Sequence, residues 1–230
     1  TVEGATQLCY AVPNHRVEMH STDEAVPVLW WRSVGHSTNA FVINTLIDEL
    51  AVLGGKDPVA LRRMLLSGKP RHLAVLERAV RESGYGSLTL PSGHVHGVAL
   101  HESFGSIVAQ VAQLSVEGPF MEVCVHRVTC VIDCGLAVNP DQVVAQMQSG
   151  IIFGLSAALD GEILLENGRI QQGNFDDYPV LRMNQSPRID VHIIANGERP
   201  GGVGETGTPP IAPAVCNGIH AAIGRRIRRL

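Results

Sequence analysis

The sequence predicts a mixed α+β fold. Three observations predict it. Apolar residues recur at helical spacing between residues 39 and 83, two long Val/Ile-rich runs follow over 95–116 and 121–132, and a helix-like segment rich in small residues starts at 140. The elements follow in chain order. Leu8–Val12, Arg16–Met19 and Pro27–Trp31 read as short β-like runs. The segment "RSVGHSTN" reads as a loop, with Ser37 or Thr38 able to cap a helix. From Asn39 to Leu53, Phe41, Ile43, Leu46, Ile47, Leu50 and Leu53 fall mostly on one helical face, and Gly54-Gly55 ends it. In "KDPVALRRMLLSG", Asp57 is placed to cap a second helix, Pro58 takes its first position and Gly68 stops it. A third helix is expected over Arg71–Ser83.

The pattern then changes to alternation. Val95–Val116 and Met121–Ile132, with "EGP" between them, read as two long antiparallel strands. Asn139-Pro140-Asp141 opens a helix to about Leu159, and its small residues permit close packing. Glu162–Leu165 and Ile170–Gln172 form a hairpin around "ENG". Arg188–Ala195 is a further strand, and a last helix runs from about Pro210 to Ile223, stopped at Gly224. The division expected is residues 1–90, N-terminal strands plus a helical unit, and residues 91–230, an α+β portion.

Composition bounds the function. The 230 residues are 45% hydrophobic and carry a formal charge of −4, which argues against nucleic acid as the partner. No stretch approaches the roughly 18 uninterrupted apolar residues of a membrane span, and the closest, Gly150–Leu159, is too short. The five cysteines have neither the spacing nor the even number of a disulfide scaffold and read as buried thiols. The chain starts at Thr1 without a methionine or signal peptide, as expected of a processed product or a piece of something larger.

Several stretches carry candidate chemistry. "HVHGVALH" sets His94 and His96 on one strand face with His101 close by, but no other ligand has matching spacing, so an exposed turn entering a strand is preferred to a metal site. No HExxH, CxxC pair or GxSxG occurs. The loop "PGGVGETGTPP" is neither a phosphate loop nor a dinucleotide fingerprint. It carries one carboxylate, Glu205, among glycines that allow close backbone approach and ahead of two prolines that stiffen the exit. A solvated turn glutamate is the plain reading, and a general base on a rigid loop the functional one. At the C-terminus, "RRIRRL" reads as cations complementing a helix dipole, with a basic docking patch as the alternative.

"VGETGTPPIAPAVCNGIHAAIGRRIR", "LWWRSVGHSTNAFVINTLIDELA", "DPVALRRMLL", "CVIDCGLAVNPDQVVAQMQSGIIFGLSAAL" and "NFDDYPVLRM" together resemble, in order and over essentially the whole chain, the molybdenum hydroxylases of the xanthine dehydrogenase and aldehyde oxidase group. The likeness is to the C-terminal part of the large molybdopterin-binding subunit, in the isoquinoline 1-oxidoreductase and aldehyde dehydrogenase-like subgroup. It implies hydroxylation of an aldehyde or an N-heteroaromatic C–H with water as oxygen source. It implies a molybdenum–molybdopterin cofactor, the cytosine dinucleotide form among those used, and [2Fe–2S] clusters on a partner subunit. By motif, Glu205 is the general base, Gln146 of "AQMQSG" binds the pterin, Arg32 of "WRSVG" lies near the metal centre, and Gly204 lets the loop approach it.

The departures matter as well. The family's Gly-Gly-Phe-Gly and Gly-Gln-Gly loops and its iron–sulfur cysteine signatures are absent, and so is a counterpart of the arginine that holds purines. The resemblance therefore implies activity only beside the remainder of the molybdopterin subunit, a small [2Fe–2S] subunit and an acceptor such as cytochrome c. By analogy with the subgroup, the location expected is periplasmic and membrane-associated, with the cytoplasm as the alternative. The other readings are a non-catalytic scaffold or assembly subunit of such a complex, against which the intact "GVGE" and "AQMQSG" argue, and a binding module for an aromatic ligand. Only two tryptophans, three tyrosines and five phenylalanines are available to build a stacking pocket for such a ligand.

Overall fold

A computed structural model describes residues 1–22, 26 and 29–230. A four-stranded sheet forms its middle layer: β1 (His94–Ser103), β2 (Ser106–Glu117), β3 (Glu122–Asp133) and β6 (Arg188–Ile193), in the order β1-β2-β3-β6, while β4 (Leu165–Glu166) and β5 (Arg169–Ile170) pair in a separate hairpin. The first three are antiparallel, and β6 runs parallel to β3. Helices α1 (Gly35–Leu53), α2 (Pro58–Leu65) and α3 (Pro70–Ser83) cover one face. Helices α4 (Pro140–Leu159) and α5 (Ile211–Ile223) cover the other. Successive strand residues point to opposite faces, so Val98, Leu100, Ile107, Ala109 and Val111 meet Ile47, Val59, Leu66, Val75 and Leu76 on the first face. Ala99, Val108, Ala112 and Leu114 meet Met147, Ile151, Leu155, Ile211 and Ala214 on the second. A sheet buried on both sides needs nearly continuous apolar strands, which is the composition of β2, "SIVAQVAQLSV".

The helix ends follow their local chemistry. Asp57 caps α2 by accepting from the Val59 and Ala60 amides, both at 2.9 Å. Asn139 caps α4 through the Gln142 amide at 3.2 Å, with Pro140 at the first turn. Gly224 ends α5 in the left-handed conformation, φ 71°.

Four expectations need correction. Residues 8–12 and 16–19 form no strand; instead Tyr10 is buried and the Ala11 amide donates to Leu65 O at the end of α2. The edge of β1 they could have joined is already satisfied by side chains. Asn44 accepts the Leu100 amide at 2.9 Å, while Arg62 and Asn217 donate to Val98 O. Of the third run, Pro27 and Val28 lie outside the described residues, and residues 29–31 are not extended into a strand. Second, the run 95–116 is two strands, because Phe104 (φ 53°) and Gly105 (φ 79°) form a two-residue hairpin turn whose positive φ angles match the strand twist. Third, Cys124 is exposed and Cys9 only partly buried, in contrast to Cys130, Cys134 and Cys216. Fourth, "RSVGHSTN" is only partly a loop: α1 starts at Gly35 with Val34 at its N-cap, and Ser37 and Thr38 lie inside the helix. Beyond Gly224, Arg226 reaches Asp48 of α1 at 2.7 Å and Arg228 reaches Glu49 at 2.6 Å.

The apolar stretch around residues 150–159 belongs to a longer helix. At twenty residues and mean hydropathy 1.2, α4 is long and apolar enough to cross a membrane by length and composition alone. Its Met147, Ile151 and Leu155 sit in the core between it and the sheet.

Candidate functional site

Glu205 sits in a loop that every surrounding element holds in place. The Gly201 amide donates to Cys134 O (2.9 Å) and the Gly202 amide to Phe104 O (2.7 Å). Ser106 Oγ donates to Gly202 O (2.8 Å). From the middle of β2, the buried Gln110 donates its Nε2 to Gly207 O at 2.8 Å. Thr208 donates its hydroxyl to Gly150 O of α4 at 3.2 Å, and its amide closes a turn on Glu205 O at 3.0 Å. Loop and helix approach so closely that a Cβ at Gly150 would lie 3.2 Å from Gly207 Cα, and one at Gly207 3.0 Å from Met147 O. The small residues of α4 have this purpose. Thr206 to Pro210 are buried, Gly204 is exposed and Glu205 is half-buried, so the loop presents only its tip.

The second wall comes from the turn ahead of α1. Trp31 lies on Phe153 of α4, ring centroids 4.7 Å apart, and the Arg32 guanidinium lies 5.7 Å from the same ring centre. Arg32 then joins three chain segments. Its Nε donates to Gly204 O at 2.9 Å, its Nη1 to Ser149 Oγ at 3.0 Å and its Nη2 to Gln146 Oε1 at 3.0 Å. The next residue, Ser33, donates its backbone N–H to Glu205 Oε1 at 3.1 Å. Ser33 (φ 72°) and Val34 (φ 43°) hold positive φ angles, uncommon for non-glycine residues and strained for β-branched valine. That backbone turns the Ser33 amide toward Glu205. A pair of histidines borders the loop. His36 Nδ1 is 2.9 Å from His101 Nε2, and burial, chiefly, pushes His101 down to about 3.

Of the four residues singled out in the sequence, Arg32 bonds Gly204 and Gln146 directly, and Glu205, next to Gly204 in the chain, is held by the Ser33 amide. Two partners were not singled out. Ser149 and Phe153 lie three and seven residues beyond Gln146, on the same face of α4, and that spacing was a readable signal. The Ser33 contribution is a main-chain N–H and leaves no trace in side-chain pattern. His94, His96 and His101 turn to separate partners: His94 stacks on His126, His96 on Tyr85, and His101 bonds His36.

Guanidinium has only donors, so Arg32 fixes the Gln146 amide with its oxygen inward and its Nε2 outward. Neither that nitrogen nor Glu205 Oε2 has a partner among the described residues. A Cβ built at Gly204 would meet nothing within 4 Å. The tip therefore offers an amide donor, a carboxylate oxygen and open space beside a bare backbone. This donor set fits a pterin edge and a nearby metal-held group. The face is open. Cavities of about 980 and 570 Å³ lie elsewhere, the first along the start of β3 and the chain end and the second between α1, α4 and α5, and neither is lined by Glu205, Gln146 or Arg32.

Residues 82–187 match the family model of a molybdopterin cofactor-binding domain. The beta subunit of isoquinoline 1-oxidoreductase from Brevundimonas diminuta is 33% identical over 225 residues, which cover 97% of this chain and 29% of that protein. One subunit of the nicotinate dehydrogenase of Pseudomonas putida is 31% identical over 238 residues, 96% of this chain and 20% of that protein. The solved aldehyde oxidoreductase of Desulfovibrio desulfuricans superposes with a TM-score of 0.73 over 87% of this chain and 40% of its own, at 14% identity, a likeness of fold. The chain thus spans less than a third of the length of these two curated relatives.

Proposed function

This chain belongs to the molybdenum hydroxylase family, within the large molybdopterin-binding subunit, and from that premise we propose that it supplies the general base and one wall of the cofactor cleft of a molybdopterin-dependent oxidoreductase. The substrate class is an aldehyde or an N-heteroaromatic C–H, with water as the oxygen source. When bound, the cofactor would supply a redox-active metal that activates water and takes up the substrate's electron pair. Gln146 would hold the pterin through its outward Nε2, and Gly204 would leave room for the cofactor beside the loop backbone.

The residues of the chain then have separate tasks. Glu205 takes a proton at Oε2, its open oxygen, while the Ser33 N–H keeps Oε1 in place. General-base catalysis of this kind contributes about 10²–10⁴-fold. Arg32 does not act on substrate in this reading. It fixes the distance between base and pterin ligand by bonding Gly204 O and Gln146 Oε1 with one rigid fork. This clasp is the single observation that carries the proposal, because it brings chain positions 32, 146 and 204 together beside Glu205. The open side of the tip would be closed by the remainder of the large subunit, with electrons leaving through a [2Fe–2S] subunit to an acceptor such as cytochrome c.

Metal and pterin analysis of the intact assembly carrying this chain tests the proposal. One molybdenum and one pterin per chain are expected. An assembly that is folded, complete and free of both would make the chain a scaffold and overturn the reading.

A further inference from the structure

One cluster of reactive side chains lies outside the site just described. His94, Ser115 and Cys124 stand in a single row across β1, β2 and β3, since Ser115 pairs with His94 on one side and with Cys124 on the other. The register slips beside this row. Gln113 pairs with Arg127 and Leu114 with Val125, so His126 is an extra residue without a partner on β2. A bulge of this kind re-aims a side chain. The His126 ring stacks on His94 with centroids 4.0 Å apart. Its Nε2 lies 2.8 Å from Ser115 Oγ and its Nδ1 3.7 Å from Cys124 Sγ.

The proton positions follow from what each group can do. The Glu117 carboxylate only accepts, and Ser115 Oγ donates to its Oε1 at 2.5 Å. The Ser115 oxygen is then left to accept from His126, which places the ring proton on Nε2. Nδ1 carries a lone pair, and it faces the Cys124 thiol. Burial, with His94 second, lowers His126 from its usual value, so the ring is neutral and its Nδ1 lone pair is free. The titratable groups facing it are His94 from β1 and Glu117 from β2. The other cysteines are different. Burial pushes Cys9, Cys130 and Cys216 up to about 12 and raises Cys134, whereas Cys124 is exposed at the sheet end.

The geometry points to Cys124 as a modification site: a surface thiol, with His126 placed to receive its proton as the sulfur attacks, that exchanges with small-molecule disulfides. The thiolate is the attacking species. Its sulfur forms a bond to one sulfur of the disulfide, the original S–S bond breaks, and the departing thiolate takes the proton held by His126. Cys124 is oxidised to a mixed disulfide and the released half is reduced to a thiol, so no further oxidant is required.

The test treats the purified assembly with oxidised glutathione at pH 7, blocks remaining thiols and maps the product by peptide mass spectrometry. Glutathione is expected on Cys124 well before any other cysteine. His126→Asn should slow Cys124 by about tenfold, within the roughly 30-fold ceiling set by the few per cent thiolate of a free thiol at neutral pH. Ser115→Ala, which removes the acceptor that fixes the ring proton, should slow it severalfold. Modification at the normally buried Cys130 would reveal an unfolded variant, and the other variant then decides. No reaction at Cys124 in the native assembly, or an unchanged rate in a folded His126→Asn or Ser115→Ala protein, would overturn the assignment.

Discussion

Replacing Arg32 with lysine keeps the charge and removes the fork. In the native chain three nitrogens diverge to Gly204 O, Ser149 Oγ and Gln146 Oε1 at 2.9, 3.0 and 3.0 Å. A single ammonium on a flexible stem reaches one of these acceptors at a time, so two contacts are lost. A typical intramolecular hydrogen bond contributes about 0.5–1.5 kcal/mol net. Arg32 is only half-buried, so a total near 1–2 kcal/mol is appropriate. The loss falls on docking of the 201–208 loop and would increase its open population by about 5–30-fold. Amide hydrogen exchange reads this directly. The Gly201, Gly202 and Thr208 amides are hydrogen-bonded and should exchange faster in Arg32→Lys by that factor, while the amides of β2 stay unchanged as an internal control. Equal exchange at those three amides in both proteins would refute the idea that Arg32 holds the loop.

Two other perturbations probe the frame around the site. Because the folded-state value of His101 is about 3 and the unfolded value about 6.5, its neutral form stabilises the fold above pH 6.5, and that contribution is lost as pH falls. Between pH 6.5 and 5 the loss amounts to about 2 kcal/mol; urea unfolding should show it as a pH slope that is shallower in His101→Gln, and identical slopes would exclude the effect. Gly97 on β1 packs against α5 so tightly that a Cβ would lie 2.0 Å from Ala214 O and 2.3 Å from Gly218 N, both backbone atoms. Gly97→Ala should therefore destabilise by about 3 kcal/mol, the upper end of overpacking costs, and a shift in the urea midpoint equivalent to under about 0.5 kcal/mol would count against this contact.

Much of the fold is readable where local chemistry and burial agree. Asp57-Pro58 and Asn139-Pro140 mark helix starts by capping and proline position, and Gly224 marks a stop; the structure follows all three. The Phe104-Gly105 hairpin does have a sequence signal, the polar break with a glycine in "HESFGS", which reading 95–116 as one strand passes over. The β-like runs at 8–12 and 16–19 failed for a tertiary reason: the edge they would pair with is capped by Asn44, Arg62 and Asn217 from three different helices. At the candidate site, residue type and motif pointed to Arg32, Gln146, Gly204 and Glu205, and the hydrogen bonds of Arg32 and Ser33 link them. What no pattern shows is the positive-φ backbone at Ser33 and Val34 that aims a main-chain amide at the carboxylate.

The most direct test of Glu205 as the base is turnover per bound molybdenum in the assembled enzyme with Glu205→Gln. Glutamine keeps the size of the side chain and an oxygen for the Ser33 amide but cannot take the proton. The account predicts an unchanged molybdenum and pterin content and a fall in turnover of at least about 10²-fold. Turnover within a fewfold of the native enzyme, at the same molybdenum content, would contradict it.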